Sequence, residues 1–312
     1  MKKPHVLVLG DINIDAIVNA DRYPTEGGEA VAQVADFRPG GSGCNTSVVL
    51  AKLGAEVWHW GNLGTDPLGQ MALNFIRQSG MRTDLIQIRE EHQSGFFIIL
   101  VTPGGQRTMF GSRGCNAMPL RQTGVKEVLK DADWVHISGY MLIADETWQA
   151  AKWLIQEAKK SKMPISLDPG MCTIHTVFQR IEELLPELDY LMISRDELRE
   201  LGAGKTESDV LKGFFAHGVR NVVLKMGADG SRFIQPKRQI DQPAVRRPNE
   251  NIYDTTGAGD CFDAGFIFAT LNSSNLEKCL ALGNQVAYQM ITSPHGMADV
   301  CQLEKLETNL YS

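Results

Sequence analysis

Short apolar runs recur along the chain at His5–Leu9, Trp134–Ser138, Pro164–Leu167, Tyr190–Ser194 and Asn221–Lys225. Runs of this length bounded by turn residues read as central strands, buried on both faces of a parallel sheet. Between them the period lengthens to that of a helix. In Pro67–Ser79, Leu68, Met71, Ala72, Phe75 and Ile76 repeat at helical spacing and Gly80 closes the segment; Glu146–Lys160 and Ser208–His217 separate later strands. AEVWHWG at 55–61 reads as a further strand and Leu276–Ile291 as a last helix, ended by SPHG at 293–296. This alternation predicts an α/β fold, a mostly parallel central sheet flanked by helices, in which ligands gather at the carboxyl ends of the strands.

Weaker strand-like pieces interrupt it. AIVNA at 16–20 and EAVAQVADF at 29–37 flank the turn-rich RYPTEGG, and Phe96–Val101 joins Arg107–Phe110 through TPGGQ. These pieces are too small to own a core. We group them as one small sheet, inserted at about 16–38 and 96–111 into a single domain spanning 1–312, and suited to be a lid or a dimer surface. Residues 231–253 read as a last, irregular β region.

Two glycine-rich stretches lead into helices. In PGGSGCNTSVVLAKLG, Gly40, Gly41 and Gly43 precede a helix that ends at Gly54, and Asn45 falls in its first turn, presenting an amide beside backbone N–H groups. In DTTGAGDCFDAGFIFATL, Gly257, Gly259 and Gly265 are set into an apolar run, Phe262–Leu271, long enough to be a buried helix. The GAG segment would then lie at the positive end of that helix and form an anion site. Asp260 beside an anion site reads equally in two ways. It is either a base that takes a proton, or a first-turn residue that complements the dipole, with Thr255 or Thr256 as the cap.

The strand ends carry the remaining polar candidates. GDINID at 10–15 stands where a dinucleotide fold would place its glycine fingerprint, which counts against an NAD enzyme. It offers Asp11, Asn13 and Asp15 instead. In an extended segment Asn13 and Asp15 point the same way, as a polyol site or simply as a turn rich in Asx residues. Later ends carry Asp168, then Ser194 with Glu197, then Lys225 with Gly227 and Gly230, and the final helix carries Asn284.

A chain of 312 residues with 43% hydrophobic content can bury a large core. Its longest apolar runs fall far short of the ~20 residues of a membrane span, and Asp11 comes too early for a signal peptide, so the expectation is a cytoplasmic protein. A net charge of -6 without long single-sign blocks argues against nucleic acid as a partner. Cys44, Cys115, Cys172, Cys261, Cys279 and Cys301 show neither zinc-ligand spacing nor a disulfide framework and read as free buried thiols.

With these motifs the chain resembles, over essentially its whole length, the ribokinase-like (PfkB-type) carbohydrate kinases. GGSGCNTSVVLAKLGAEVWHWGNLGTDPLG at 40–69 is similar to the family's N-terminal signature and DTTGAGDCFDAGF at 254–266 to its C-terminal one; GDINID, GCN at 114–116 and KMGADG at 225–230 support them. The resemblance implies an ATP- and Mg²⁺-dependent transfer of a phosphoryl group to a hydroxyl of a sugar or sugar-like molecule. It makes Asp260 the base and Gly257, Ala258 and Gly259 the anion hole. It places Asn13, Asp15, Gly41 and Asn45 on the sugar, and Ser194, Lys225, Gly227, Gly230 and Asn284 around the nucleotide. Glu197 would lie near Mg²⁺ through water, and Asp254 and Thr256 would hold a monovalent cation, usually K⁺. Asp263, one turn beyond Asp260, is a rival base on spacing alone, but it lies away from the dipole end. A homodimer through the lid sheets is a further implication.

The sequence departs from the family's patterns in places. Ser42 stands where ribokinases proper have lysine, and Ser194 where many members have asparagine. LDPGMC puts Gly170 and Cys172 after Asp168, where fructokinases and ketodeoxygluconate kinases have asparagine and arginine. Arg107 and Arg113 read either as cations for a second phosphate or as solvated lid residues. A nucleoside kinase of the same family is the main alternative. From another class, a non-catalytic sugar- or nucleotide-binding regulator is motivated by Ser194.

Overall fold

The computed structural model describes residues 3–103, 107–202, 204–247, 250–294 and 296–300, with backbone only at Gln33, Val34 and Ala298. Cys301 and parts of the turns expected at 102–106 and 293–296 lie outside the described residues.

The chain runs β1 (His5–Leu9), β2 (Asn13–Ala20), β3 (Ala32–Gly40), α1 (Ser42–Leu53), β4 (Glu56–Gly64), α2 (Pro67–Gln78) and β5 (Ile86–Arg89). It continues with β6 (Gly95–Val101), β7 (Arg107–Ser112), α3 (Val125–Leu129), β8 (Trp134–Ser138), α4 (Asp145–Lys160), β9 (Ile165–Asp168) and α5 (Met171–Leu184). The last third holds β10 (Tyr190–Ser194), α6 (Arg195–Gly202), α7 (Glu207–Ala216), β11 (Asn221–Lys225), β12 (Ser231–Gln235), β13 (Arg238–Gln242), α8 (Ala258–Asn272) and α9 (Leu276–Ile291).

Among the described residues a 9-stranded sheet has the order β13-β12-β11-β10-β9-β8-β1-β4-β5. Its pairs are parallel from β11 to β5, and β12 and β13 add an antiparallel hairpin at one edge. Alternation along β1 shows why the sheet is covered on both sides: Val6 and Val8 join the core under α1, α8 and α9, whereas Leu7 and Leu9 join the core under α4 and α5. All of these side chains are fully buried, each contributing roughly 1.5–3 kcal/mol relative to exposure.

The expected helix at the second glycine stretch is α8. Its apolar run is buried all round, and Gly265 lets it lie against α9, because a Cβ there would stand 2.9 Å from the Gly283 Cα. Gly257 caps α8 in the left-handed conformation (φ 84°) without a side-chain bond, so neither Thr255 nor Thr256 caps it. The region read as irregular holds the regular β12–β13 hairpin, whose second strand, exposed and half-buried over five residues, is too short a pattern to stand out from a loop. Strand β5, unforeseen in the sequence, is held by parallel pairing to β4 and not by any periodicity of its own.

The weaker pieces form a 4-stranded sheet in the order β3-β2-β6-β7. One face carries Asp15, Phe97, Ile99 and Met109 toward a cleft. On the other face Phe37, Ala16, Ile98 and Phe110 stand in register across all four strands, and Phe37, Ile98 and Phe110 are exposed. No helix among the described residues is long and apolar enough to cross a membrane. Cys44, Cys115, Cys261 and Cys279 are buried thiols; Cys172, expected to be buried, is exposed in the first turn of α5.

Candidate active site

A cleft of about 890 Å³ opens between the small sheet and the carboxyl ends of β1, β9, β10 and β11. Asp11, Asn13, Asp15, Gly41 and Asn45 line one end of it, Ser194, Glu197, Lys225 and Gly227 the other, with Gly257, Gly259 and Asp260 between them. A second cleft of about 580 Å³ shares Lys225, Gly227, Thr255 and Gly259 with the first and runs on between Gly230, Asn284 and the apolar side chains of Ile252, Phe262 and Ile291. The two clefts therefore meet at the N-terminus of α8, where the first backbone N–H groups have no intrahelical partner.

Asp260 lies in the first turn of that helix. Its Oδ2 accepts a 2.7 Å hydrogen bond from Asn45 Nδ2, on the first turn of α1, and Ser42 also bonds its carboxylate. Burial, and then the charge of Asp168, outweigh these bonds and raise the Asp260 carboxyl to about 7. Ser42, a departure in sequence, is thus in contact with the proposed base. Asn45 Oδ1 is buried and has no hydrogen-bond partner among the described residues, an unused acceptor beside that carboxylate.

At the start of β2, Asn13 and Asp15 project to the same side, but their side chains are used differently. Asn13 Nδ2 donates to Asp11 Oδ2 at 3.1 Å, and its Oδ1 accepts from Asn116 Nδ2 at 2.8 Å. Its amide is an anchor inside the protein. Asp15 is left facing the cleft, over Gly40, where a Cβ would collide with its carboxylate. Burial, then Asp11 and Asp254, push Asp15 up to about 7. Gly41 (φ 97°) lets the chain pass the Asp11 carbonyl on its way into α1.

At the other end, Ser194 and Glu197 form a reciprocal capping box for α6. Ser194 N donates to Glu197 Oε2 at 2.7 Å, and Glu197 N donates to Ser194 Oγ at 3.2 Å. The S-x-x-E spacing carried that signal. Burial and Asp168 raise the Glu197 carboxyl above its ordinary value. Asn284 Nδ2 donates to the carbonyls of Pro243 and Gln242, which makes it a wall of the second cleft.

Lys225 ends β11 with its Nζ 2.9 Å from Asp168 Oδ2 and 3.1 Å from Asp263 Oδ2, all three side chains being nearly or fully buried. Burial pulls the ammonium pKa down, but Asp168, Asp263 and Glu197 outweigh it and hold Lys225 well charged. Against that cation Asp168 stays below the usual carboxylate range, while burial holds Asp263 well above it. Asp263 is therefore occupied by Lys225, and among the described residues neither cleft is lined by it. Lys225 Nζ also lies 3.4 Å from where a Cβ of Gly259 would be, so its charge sits directly under the backbone at the α8 N-terminus.

Arg107 is exposed on the small sheet, yet its guanidinium has a partner. It crosses to the loop before α8 and donates to Thr256 Oγ1 at 2.6 Å. Arg113, in turn, lies over the Tyr140 ring and not in the cleft lining. The sequence reading missed Asn116, Tyr140 and the Lys225 cluster. GCN at 114–116 was the only local signal, because the other contacts join residues from distant strands.

A profile of the pfkB family carbohydrate kinases matches residues 3–301. A ribokinase of Arabidopsis thaliana is 30% identical over 290 residues, covering 89% of this chain and 73% of that protein. The structure of Arabidopsis thaliana ribokinase complexed with ribose and ATP superposes with a TM-score of 0.85 at 24% identity, over 99% of each chain. Adenosine kinase from Sinorhizobium meliloti gives a TM-score of 0.83 at 22% identity, covering 95% of this chain and 98% of that one. The expected ribokinase-like fold is the observed one, and the chain belongs to the pfkB family of carbohydrate kinases, which are ATP-dependent enzymes.

Proposed function

We propose that this chain transfers the γ-phosphoryl group of ATP to a hydroxyl of a sugar or sugar-like molecule, with Asp260 as general base and the backbone of 257–259 as anion hole. The observation that carries this reading is the position of Asp260, at the helix N-terminus where a polar cleft and a partly apolar one meet. The polar end, with Asp15 and the open acceptor of Asn45, suits the hydroxyls of a polyol. The apolar cleft past Gly227 and Gly230 suits a purine. Phosphoryl transfer needs in-line positioning and charge neutralisation, which the α8 N-terminus and the Lys225 ammonium supply together.

Mg²⁺ fits the carboxylate-rich wall of the cleft. Glu197 lines it as a carboxyl whose ionisation a nearby cation would favour, away from the Asp168 that Lys225 already neutralises. Mg²⁺ characteristically keeps waters and binds one or two carboxylates plus substrate phosphates, so Glu197 would hold it through water. When bound, it neutralises charge on the phosphates.

Ionised Asp260 is the active form. With its carboxyl raised to about 7, kcat/KM should fall about tenfold per pH unit below 7 and level off above about 8. A rate profile that stays flat from pH 5.5 to 8 would contradict a base with this titration.

A nucleoside kinase is the second reading, favoured by Phe97, Ile99 and Met109 on the wall of the cleft, an apolar surface that a base could cover. A panel of sugars and nucleosides separates the two by which acceptor gives the higher kcat/KM. The capping box gives Ser194 a structural role at the start of α6.

The small sheet is proposed to close over the acceptor as a lid and to form a homodimer through its outer row of Phe37, Ile98 and Phe110. Sedimentation at micromolar concentration should show a dimer that Phe110→Asp converts to monomer. A monomeric wild-type protein would count against it.

A further inference from the structure

The resemblance led us to expect a free monovalent cation at Asp254 and Thr256. The structure puts a side chain there instead. Arg107 Nη1 donates to Thr256 Oγ1 at 2.6 Å, and Thr256 Oγ1 in turn donates to Asp254 Oδ1 at 2.7 Å. The same guanidinium nitrogen is 3.9 Å from Asp254 Oδ1, and the Thr256 backbone N–H donates to that oxygen at 2.8 Å. This relay runs from the first residue of β7 to the residue directly before Gly257, the cap of α8. A free cation on these two side chains would sit against a guanidinium and be repelled by it. As arranged, Asp254 and Thr256 do not fit a free ion.

We propose that Arg107 is a positioning residue for phosphoryl transfer, a built-in cation carried by the small sheet that orders the anion-hole loop and makes the enzyme independent of monovalent ions. The proposal rests on the kinase reading above for its catalytic part. It also couples two elements. The small sheet covers the acceptor end of the cleft, and its arginine fixes the loop that must receive the phosphoryl group, so the hole is ordered when the sheet is in place. Arginine suits this role better than lysine, because its planar fork can address the hydroxyl while lying beside the carboxylate.

The test compares wild type, Arg107→Ala and Arg107→Lys in potassium chloride and in tetramethylammonium chloride at equal ionic strength. Turnover is measured with ATP, Mg²⁺ and the best acceptor of the panel, and melting temperature is recorded in the same buffers without ligand. Wild type should keep kcat within about twofold between the salts, whereas Arg107→Ala should lose about tenfold or more in kcat with the KM for ATP changed by less than about threefold. Potassium should raise both kcat and melting temperature of Arg107→Ala, whose Asp254 and Thr256 oxygens are then open to it, and leave the wild-type melting temperature unchanged. Arg107→Lys should recover part of the loss. A wild-type enzyme that loses tenfold in tetramethylammonium, or an Arg107→Ala variant with wild-type kcat in both salts, would overturn the proposal. If no acceptor is phosphorylated at all, the kinase reading fails and the melting comparison alone decides the cation question, with a potassium-dependent rise in wild type overturning it.

Discussion

Asp260→Asn should lower kcat by about 10²–10⁴-fold while leaving the Kd for ATP within about threefold, because a general base acts in the transition state and not on the bound nucleotide. The amide keeps the shape of the carboxylate and can still accept from Asn45 in one orientation, so a loss of rate would report the missing proton acceptor. The same substitution should stabilise the fold. A carboxyl whose folded pKa is raised to about 7 from 3.8 stabilises the protein fully below pH 4, and that contribution is lost as pH rises toward 7. At pH 8 wild type holds a buried, ionised Asp260 and the variant does not, so the variant should melt a few degrees higher, on the order of 1–2 kcal/mol. Steady-state kinetics, nucleotide titration and thermal melting of one protein pair check all three. Near-normal turnover in Asp260→Asn would remove Asp260 from the mechanism.

Lys225→Met should destabilise the protein by about 3–5 kcal/mol, the range for breaking a buried ion pair from one side. The methionine fills most of the volume, but Asp168 and Asp263 then face each other without the ammonium between them. The carboxylates would take up protons to relieve this, so the loss should be largest at high pH and smaller near pH 5. Adding Asp263→Leu to Lys225→Met should recover more stability than Asp263→Leu changes in the wild type, a coupling that a double-mutant cycle in urea measures directly. Additive effects would mean that the three groups do not act as a unit. Turnover of Lys225→Met should also fall, since the ammonium lies beneath Gly259 in the anion hole.

The features legible in the sequence are those whose parts are contiguous. The glycines before α8, the carboxylate after them and the apolar run behind them all act within one turn and one helix, so local pattern is enough to place a glycine-capped helix start and a carboxylate together. The alternation of β1, β8, β9, β10 and β11 with helices likewise carried the parallel sheet, because burial on both faces removes polar residues from a strand. What local pattern could not carry is how side chains are shared between distant elements. Asn13 lines the cleft as expected for a sugar site, and nothing local shows that its amide also joins Asp11 to Asn116. Asn284 lines the second cleft, and only folding shows that its amide donates to the carbonyls of 242 and 243. Asp263 stands at helical spacing like a second base, and only folding brings the Lys225 ammonium from β11 to within 3.1 Å of it. Arg107 is the strongest case. On its own strand it is one more polar residue, and its meaning depends on a threonine beside the anion hole that only folding brings near.

The central claim, phosphoryl transfer from ATP to a sugar-like hydroxyl at Asp260, is tested most directly by incubating the wild-type protein with ATP, Mg²⁺ and a panel of sugars and nucleosides. ADP release and phosphorus NMR of the products are followed together. The account predicts ADP formed in equal amount with a phosphorylated acceptor, a sugar giving the highest kcat/KM, and no product from Asp260→Asn on the same timescale. Tight binding of an acceptor and of ATP with no ADP above background for any member of the panel would contradict it.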